Sequence, residues 1–196
     1  MGSEQAVPAR TSSTPAANWT LRSAVAEDVE VIAELRAAVM RADLERLGRY
    51  DEHRVRQRLR DSFSPQHTSI IEIGGELAGC VTVRPAEGRQ WLEHFYLATH
   101  CQGRGLGSAV LRTVLERTDV QGVTVGLNVL QGSAARRLYE RHGFAVEAQD
   151  PIDVFMVRAP GTTAGPGPLR APGTSRAAPP AHAVDARKRP APCPGS

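Results

Sequence analysis

The stretch of this 196-residue chain with the clearest chemistry is a glycine-rich loop. Its sequence is Gln102-Gly103-Arg104-Gly105-Leu106-Gly107-Ser108. The loop follows an apolar run at 91–98 and leads into a helical pattern at 108–115, so it predicts a strand, a loop and a helix. Glycines at alternate positions let several backbone N–H groups converge on one anion at the positive end of the helix dipole. We therefore expect this loop to bind phosphate.

The glycine spacing excludes two common phosphate-binding loops. A dinucleotide-binding fingerprint requires G-x-G-x-x-G, and no register of it fits glycines at 103, 105 and 107. A P-loop requires Gly-Lys-Ser/Thr, but the single lysine, Lys188, lies near the C-terminus. The pattern that remains is Gln/Arg-x-x-Gly-x-Gly/Ala, with Gln102, Gly105 and Gly107 at its defining positions.

A second motif makes a family resemblance specific. An apolar strand pattern at 123–129 precedes a helical pattern that contains Leu138-Tyr139-Glu140 and ends at Gly143-Phe144. Together the two motifs resemble the GNAT N-acetyltransferase superfamily, and the resemblance covers residues 19–158. It implies an α/β (α+β) fold, in which a mixed and mostly antiparallel sheet is splayed around acetyl-CoA and flanked by about four helices.

The resemblance also implies how acetyl-CoA binds as co-substrate. Backbone amides of the loop would hold the pyrophosphate, and pantetheine would lie between two splayed parallel strands like a missing strand. The implied cofactor-binding residues lie on the strand before the loop, in the loop, and at the start of the last helix, where relatives often carry Asn: Phe95, Tyr96, Leu97, Gln102, Gly103, Arg104, Gly105, Leu106, Gly107, Ser108 and Ser133.

Acetyl transfer to an amine requires control of two protons. By resemblance, Tyr139 lies beside the CoA sulfur and is the candidate general acid. Glu93, on the strand that meets the thioester, is the candidate base, acting directly or through water. His94 competes for that role. Strict alternation sends neighbouring side chains to opposite faces of a strand, so only one of the two can face the cleft, and a β-bulge could exchange them.

The remaining patterns place secondary structure around these motifs. Residues 19–22 alternate as a short strand, an acid-led helix with an apolar stripe follows, and a second helix is expected at 51–63. Two apolar runs joined by Gly74-Gly75 predict a hairpin. A closing strand pair is expected within residues 144–157.

Adjacent His100 and Cys101 do not make a metal site, because no second cluster of ligands accompanies them.

Composition sets the broad class. The chain is 41% hydrophobic and 23% charged, as expected of one soluble globular domain, and no apolar run approaches the roughly 18–20 residues of a membrane span. No signal peptide is recognisable, and three scattered cysteines favour reduced thiols, so we expect a cytoplasmic protein. Residues 1–18 are interpreted as a disordered leader, and residues 159–196, which hold nine of the 14 prolines, as a disordered tail.

The net charge of +3 comes from the tail. Residues 159–196 hold five basic residues and one acid, which leaves residues 1–158 with a net charge of −1. A nearly neutral domain gives no argument for nucleic-acid binding, and no such partner is expected. The basic run Arg187-Lys188-Arg189 is interpreted as a solubilising segment, with a partner contact as the alternative.

The sequence therefore predicts an N-acetyltransferase that uses acetyl-CoA. The acceptor, a small amine, an amino acid, an antibiotic or a protein amine, stays open, because the variable first and second helices and the closing strands build that pocket. The oligomeric state, monomer or homodimer, also stays open. The alternative from another class is a regulatory domain that binds acyl-CoA without turnover.

Overall fold

The computed structural model describes residues 18–86 and 88–162, and the predictions for residues 1–17 and 163–196 fall outside this part of the chain. In chain order the elements are β1 Trp19–Ser23, α1 Val29–Arg46, α2 Glu52–Ser62, β2 Thr68–Ile73, β3 Glu76–Ala86, β4 Arg89–Leu97, α3 Leu106–Val120, β5 Val125–Leu130, α4 Ala135–Arg141, β6 Ala145–Gln149 and β7 Asp153–Arg158. Short 3₁₀ turns precede α1, β2 and the glycine loop. None of the helices in the described residues is long and apolar enough to cross a bilayer.

The strands form one mixed sheet in the order β1-β2-β3-β4-β5-β7-β6. β4 and β5 pair in parallel, whereas the other five pairings are antiparallel. The predicted hairpin is present: both Gly74 and Gly75 adopt positive φ between β2 and β3, as a tight two-residue turn requires. The predicted fold class, a mostly antiparallel α/β sheet with four helices, is confirmed.

Helices cover both faces of the sheet. One hydrophobic cluster includes Val110, Leu111 and Leu115 of α3, packed with Leu127 of β5. The other cluster includes Ile32 of α1 and Leu59 of α2, both fully buried. α1 and α2 are also joined by ion pairs between their charged faces, so the two helices form one wall on that side of the sheet. This wall forms one side of the cleft described below.

Sequence signals set most helix ends. Asp51 caps α2, with its Oδ1 accepting a hydrogen bond from Arg54 N at 2.8 Å. Gly143 adopts φ +85 directly after α4, as predicted for a terminating glycine. Ser133, expected at the start of the last helix, lies two residues before it, because the helix begins at Ala135 and Ala134 takes the cap position. Ser133 Oγ is 3.4 Å from Ala135 N, a long contact.

Candidate functional site

The sheet opens between its two parallel strands. β4 and β5 pair only at Gln90 with Val125 and at Trp91 with Gly126, and no pairing follows between them toward their carboxyl ends. The backbone of residues 92–97 therefore faces a gap in the sheet. The gap is the splay that the sequence predicts between the strand before the glycine loop and the strand after α3.

A β-bulge lies where β4 leaves β5. Tyr96 pairs with Cys80 and Glu93 pairs with Thr82, so His94 and Phe95 together oppose Val81 alone. His94 has φ +48, the one positive value for a non-glycine residue in the described chain. The extra residue breaks the alternation of β4, and the side chains of both Glu93 and His94 line the same cleft. The prediction that only one of Glu93 and His94 could face the cleft was therefore wrong, because the bulge interrupts the alternation of side chains along β4.

The cleft has a volume of about 650 Å³ and lies beside the gap. Its walls come from α1, α2, the bulged part of β4, the end of β5 and the start of β7. A small-molecule ligand fits such a volume. The cleft brings together five of the predicted site residues, namely Glu93, Phe95, Tyr96, Ser133 and Tyr139.

Tyr139 reaches the cleft from α4 and is 6% exposed. Its ring packs edge-on against Phe144, with 5.8 Å between centroids, so the Gly143-Phe144 end of the motif holds the tyrosine in place. Desolvation by burial raises the pKa of Tyr139 above its ordinary value, and the nearby Tyr96 raises it further. The phenol therefore keeps its proton at neutral pH, as a proton donor must.

Glu93 lies on the cleft wall with its carboxylate held by Arg84. Arg84 Nε donates to Glu93 Oε1 at 2.5 Å, and the glutamate side chain is 12% exposed. Its second carboxylate oxygen has no hydrogen-bond partner within the described chain. The ion pair fixes the direction of the carboxylate and leaves one oxygen for a ligand.

Both ring nitrogens of His94 are hydrogen-bonded. Ser62 Oγ lies 2.6 Å from the carbonyl oxygen of Arg58 and donates there, so His94 Nε2 donates to Ser62 Oγ at 3.1 Å. Arg36 Nη1 donates to Tyr96 OH at 3.1 Å, which directs the phenol proton to His94 Nδ1 at 3.3 Å. The contact with Ser62 therefore places a proton on Nε2 of His94.

The glycine loop lies outside this cleft, at the end of β4. Gly103 and Gly105 have φ +73 and +84, and a Cβ on either would meet no atom within 4 Å. Ala109 N makes the first helical bond, to Gly105 O, so the amides of residues 106–108 have no intrahelical acceptor. The loop thus presents open space and backbone donors at a helix N-terminus, which is an anion site by geometry.

Two contacts tie the loop to the gap. Gln102 Nε2 donates to Leu97 O at 2.8 Å. A Cβ on Gly107 would lie 3.3 Å from Leu97 Cδ1 and 3.4 Å from Leu138 Cδ2, so glycine permits close packing between α3, β4 and α4. Of the other predicted loop residues, Arg104 is exposed and Leu106 is buried, and Ser108 is partly buried in the first turn of α3.

The cleft also contains polar residues that the sequence reasoning did not assign to the site, and three of them lie on different elements. Arg36 lies on α1, Asn128 on β5 and Asp153 at the start of β7. Asn128 Nδ2 donates to Asp153 Oδ1 at 2.9 Å, and burial raises the pKa of Asp153, which is 6% exposed. The available signal for Arg36 was its position on the otherwise apolar stripe of the first helix. Asp153 had no comparable signal.

No metal centre is formed in the part of the chain that the structure describes. Groups of three or more His, Cys, Asp or Glu side chains that could hold an ion do not occur among residues 18–86 and 88–162. Cys101 is buried, and His100 beside it is exposed.

Comparisons with known proteins agree with this geometry. No curated protein sequence matches the chain. The solved structure of the PaiA N-acetyltransferase from Thermoplasma acidophilum in complex with coenzyme A is similar, with 19% identity, a TM-score of 0.60 and coverage of 72% of this chain and 98% of that one. The ribosomal-protein-S18-alanine N-acetyltransferase from Escherichia coli is 16% identical, with a TM-score of 0.55 and coverage of 77% and 99%.

A third similar structure is larger than this chain. It is the N-acetylglutamate synthase from Neisseria gonorrhoeae complexed with coenzyme A and L-arginine, with 19% identity, a TM-score of 0.51 and coverage of 74% of this chain but 34% of that one. A family model described as the acetyltransferase (GNAT) family matches residues 32–144, which is more than half of the chain. The matched region includes most of α1, the bulge in β4, the glycine loop and Tyr139. This chain therefore belongs to the acetyltransferase (GNAT) family.

Proposed function

We propose that this protein transfers the acetyl group of acetyl-CoA to a primary amine. The observation that carries the proposal is the gap between β4 and β5, because residues 92–97 pair with β3 on one side and have no strand partner on the side that faces β5, beside a cleft that contains Tyr139. This open strand edge suits the amide groups of pantetheine, and the open space at Gly103 and Gly105 suits a pyrophosphate. Two similar structures hold coenzyme A.

The residues proposed to hold the cofactor follow the chain from the gap to the loop. The main chain of Phe95, Tyr96 and Leu97 would pair with pantetheine. The amides of residues 102–108 would bind the pyrophosphate at the N-terminus of α3. Ser133 lies on the cleft wall, where its hydroxyl can reach a ligand. When bound, acetyl-CoA supplies an activated acetyl thioester.

The protein's contribution to the reaction is positioning and the control of two protons. Glu93 accepts the proton that the ammonium group of the acceptor loses, directly or through water, and Arg84 keeps its carboxylate directed. The N–C bond forms as the C–S bond breaks, and Tyr139 donates its proton to the departing sulfur. The second proton that the acceptor nitrogen loses on becoming an amide returns to the Tyr139 phenolate, directly or through water. Burial keeps Tyr139 protonated until then. The cleft holds the reacting groups in place, which lowers the entropic part of the barrier.

Calorimetric titration with acetyl-CoA, followed by free-thiol release against a panel of amines, tests this proposal. Micromolar binding and amine-dependent thiol release are expected. Binding without release from any amine would favour the alternative, a regulatory domain that binds acyl-CoA. Absence of binding would refute both.

A further inference from the structure

Arg36 has an incomplete set of partners on the wall of the cleft. It lies on α1 and is half-buried, and its Nη1 donates to Tyr96 OH at 3.1 Å. Its guanidinium lies over the Tyr96 ring, 5.9 Å from the centroid. Among the residues that the structure describes, Arg36 Nε is the one buried side-chain nitrogen or oxygen without a hydrogen-bond partner, and no carboxylate lies within 4 Å of the guanidinium.

This arrangement is unfavourable for the protein on its own. Buried polar groups are hydrogen-bonded in the great majority of cases, and charged groups are rarely buried without a partner. A neutral phenol oxygen stabilises the positive charge of a guanidinium only weakly. An anion that reaches Arg36 would satisfy it, because a guanidinium binds a carboxylate through two parallel N–H donors.

The acidic groups around the cleft are already engaged elsewhere. Each has a partner of its own: Asp43 with Arg46, Asp51 with the amide of Arg54, Asp61 with Gln57, Glu93 with Arg84, and Asp153 with Asn128. None of these contacts involves Arg36. The negative charge that would pair with the guanidinium of Arg36 is therefore expected to come from a ligand in the cleft.

On the wall that α1 and α2 form, the side chains of α1 next to Arg36 are mostly apolar, whereas α2 contributes mostly polar residues to the cleft. Val39, Met40 and Leu44 follow Arg36 along α1, and Val55 lies opposite on α2. This wall suits a hydrocarbon group. An acceptor that contacts both Arg36 and this wall carries an anion beside an apolar group, in addition to the amine.

We propose that Arg36 binds the carboxylate of the acceptor, and that the acceptor is a free amino acid with an apolar side chain. This inference rests on the proposed function and specifies its substrate class. In the resulting arrangement, Arg36 holds the carboxylate, the α1–α2 wall holds the side chain, and the amine is directed toward Glu93 and Tyr139.

Amino acids and their amides test the inference directly, because each pair shares its side chain and its α-amine, and the amide lacks the carboxylate that Arg36 would bind. Leucine, methionine and phenylalanine are each compared with leucinamide, methioninamide and phenylalaninamide by thiol release from acetyl-CoA. We expect kcat/KM for the acids to exceed that for the amides by roughly 10-fold to 100-fold. Arg36→Gln should remove this preference. Arg54→Gln, which changes an exposed cleft arginine, should retain it.

A second variant separates two roles of Arg36, binding the carboxylate of the acceptor and holding the hydroxyl of Tyr96. Tyr96→Phe removes the hydroxyl that Arg36 contacts and leaves the guanidinium in place, so the preference for acids should survive even where turnover falls. Calorimetry with the CoA-saturated protein gives a readout without turnover, in which leucine should bind more tightly than leucinamide. Equal use of acids and amides, or loss of the preference in Tyr96→Phe, would overturn the inference and leave acetyl transfer standing. Absence of thiol release with every amine would overturn both.

Discussion

At the scale of single residues, one cleft holds a phenol and two carboxylates in different surroundings. Tyr139 is buried among apolar groups, Glu93 is paired with a guanidinium, and Asp153 is buried with an amide as its partner. Burial favours the neutral form of both Tyr139 and Asp153, because a charge loses hydration there, whereas the carboxylate of Glu93 is held in an ion pair with Arg84. The proposed proton donor, Tyr139, and the proposed proton acceptor, Glu93, therefore lie in different surroundings.

Replacing the phenol tests its role as proton donor. Tyr139→Phe removes the hydroxyl and keeps the ring that packs against Phe144, so the fold should be preserved. We expect kcat to fall by roughly 10²-fold or more, with the Kd for acetyl-CoA changed by less than about twofold. Steady-state kinetics and calorimetry measure the two quantities. An unchanged kcat would show that Tyr139 is only a packing residue.

Comparing the two carboxylates tests the assignment of the base. A base acts when deprotonated, so activity rises with pH through its pKa, and its removal abolishes the acidic limb of the pH profile. Glu93→Gln should lower kcat/KM by roughly 10²-fold to 10⁴-fold and flatten that limb. Asp153→Asn should have the smaller effect. The reverse order, with a limb above the ordinary aspartate range, would assign the base to Asp153, whose pKa is raised by burial.

The site residues that the sequence predicts are those inside local motifs. Tyr139 follows from the Leu-Tyr-Glu helix, and the structure places it on the wall of the cleft, while its position beside the CoA sulfur stays a prediction. Arg36 and Asp153 could not be assigned, because their surroundings arise from tertiary contacts across β4 and β5. A charged residue on an apolar stripe indicates burial, yet the stripe alone does not say what lies opposite.

At the scale of secondary-structure elements, the glycines predicted the ends of helices and strands most reliably. Gly74, Gly75 and Gly143 mark the hairpin and the end of α4 as predicted. The start of β5 was predicted two residues early, because Val123 N bonds back to Thr118 O and so closes α3 rather than joining the sheet. The β-branched residues at 123–125 do not distinguish the closing turn of a helix from the start of a strand. The position of the bulge also depends on how β4 pairs with β3, and the sequence of β4 alone does not determine that pairing.

The glycine loop can be tested against a matched glycine at the other end of the same helix. Gly105 precedes α3 and Gly122 follows it, both have positive φ, and a Cβ on either meets open space. Gly105→Val should raise the Kd for acetyl-CoA by roughly 100-fold, since its side chain fills the proposed pyrophosphate site. Gly122→Val carries similar backbone strain and should bind normally. Calorimetry of both variants decides, and undiminished affinity of Gly105→Val would refute the placement of the pyrophosphate.

At the scale of the whole molecule, one arginine joins distant segments. Arg158, at the end of β7 and 5% exposed, donates through both Nη atoms to Asp119 near the end of α3, at 2.6 and 2.8 Å. It also donates to His142 O and Thr162 O. The fold contacts therefore continue past the last strand, and a truncation meant to spare the domain should follow Thr162.

Breaking this ion pair should destabilise the protein. Arg158→Met leaves Asp119 without its partner, and we expect a loss of about 2–3 kcal/mol, less than for a fully buried pair because Asp119 is partly exposed. Arg41→Met is the matched control: it removes exposed contacts with Glu45 and the Tyr50 ring and should leave the free energy of unfolding nearly unchanged. Urea unfolding measures both. A loss for Arg158→Met as small as that for the control would contradict the expectation.

The same pair predicts a pH dependence. The hydrogen bonds from Arg158 lower the pKa of Asp119, so their contribution is complete above the ordinary aspartate pKa and is lost as pH falls through the lowered native value. Asp119→Asn should therefore be less stable than the parent at neutral pH, with a difference that shrinks toward acid. A difference independent of pH would contradict this assignment.

The gap between β4 and β5 has a mechanical consequence. It divides the sheet into two halves, β1–β4 and β5–β7–β6, which are joined in the sheet by two residue pairs. Amides at the edges of the gap lack strand partners and should exchange with solvent deuterium faster than those in the paired strands. A ligand that bridges the halves would slow this exchange and, at a hundred times its Kd, add about 2.7 kcal/mol to the free energy of unfolding. Cofactor supply would then set how long each molecule survives proteolysis, as well as how fast it works.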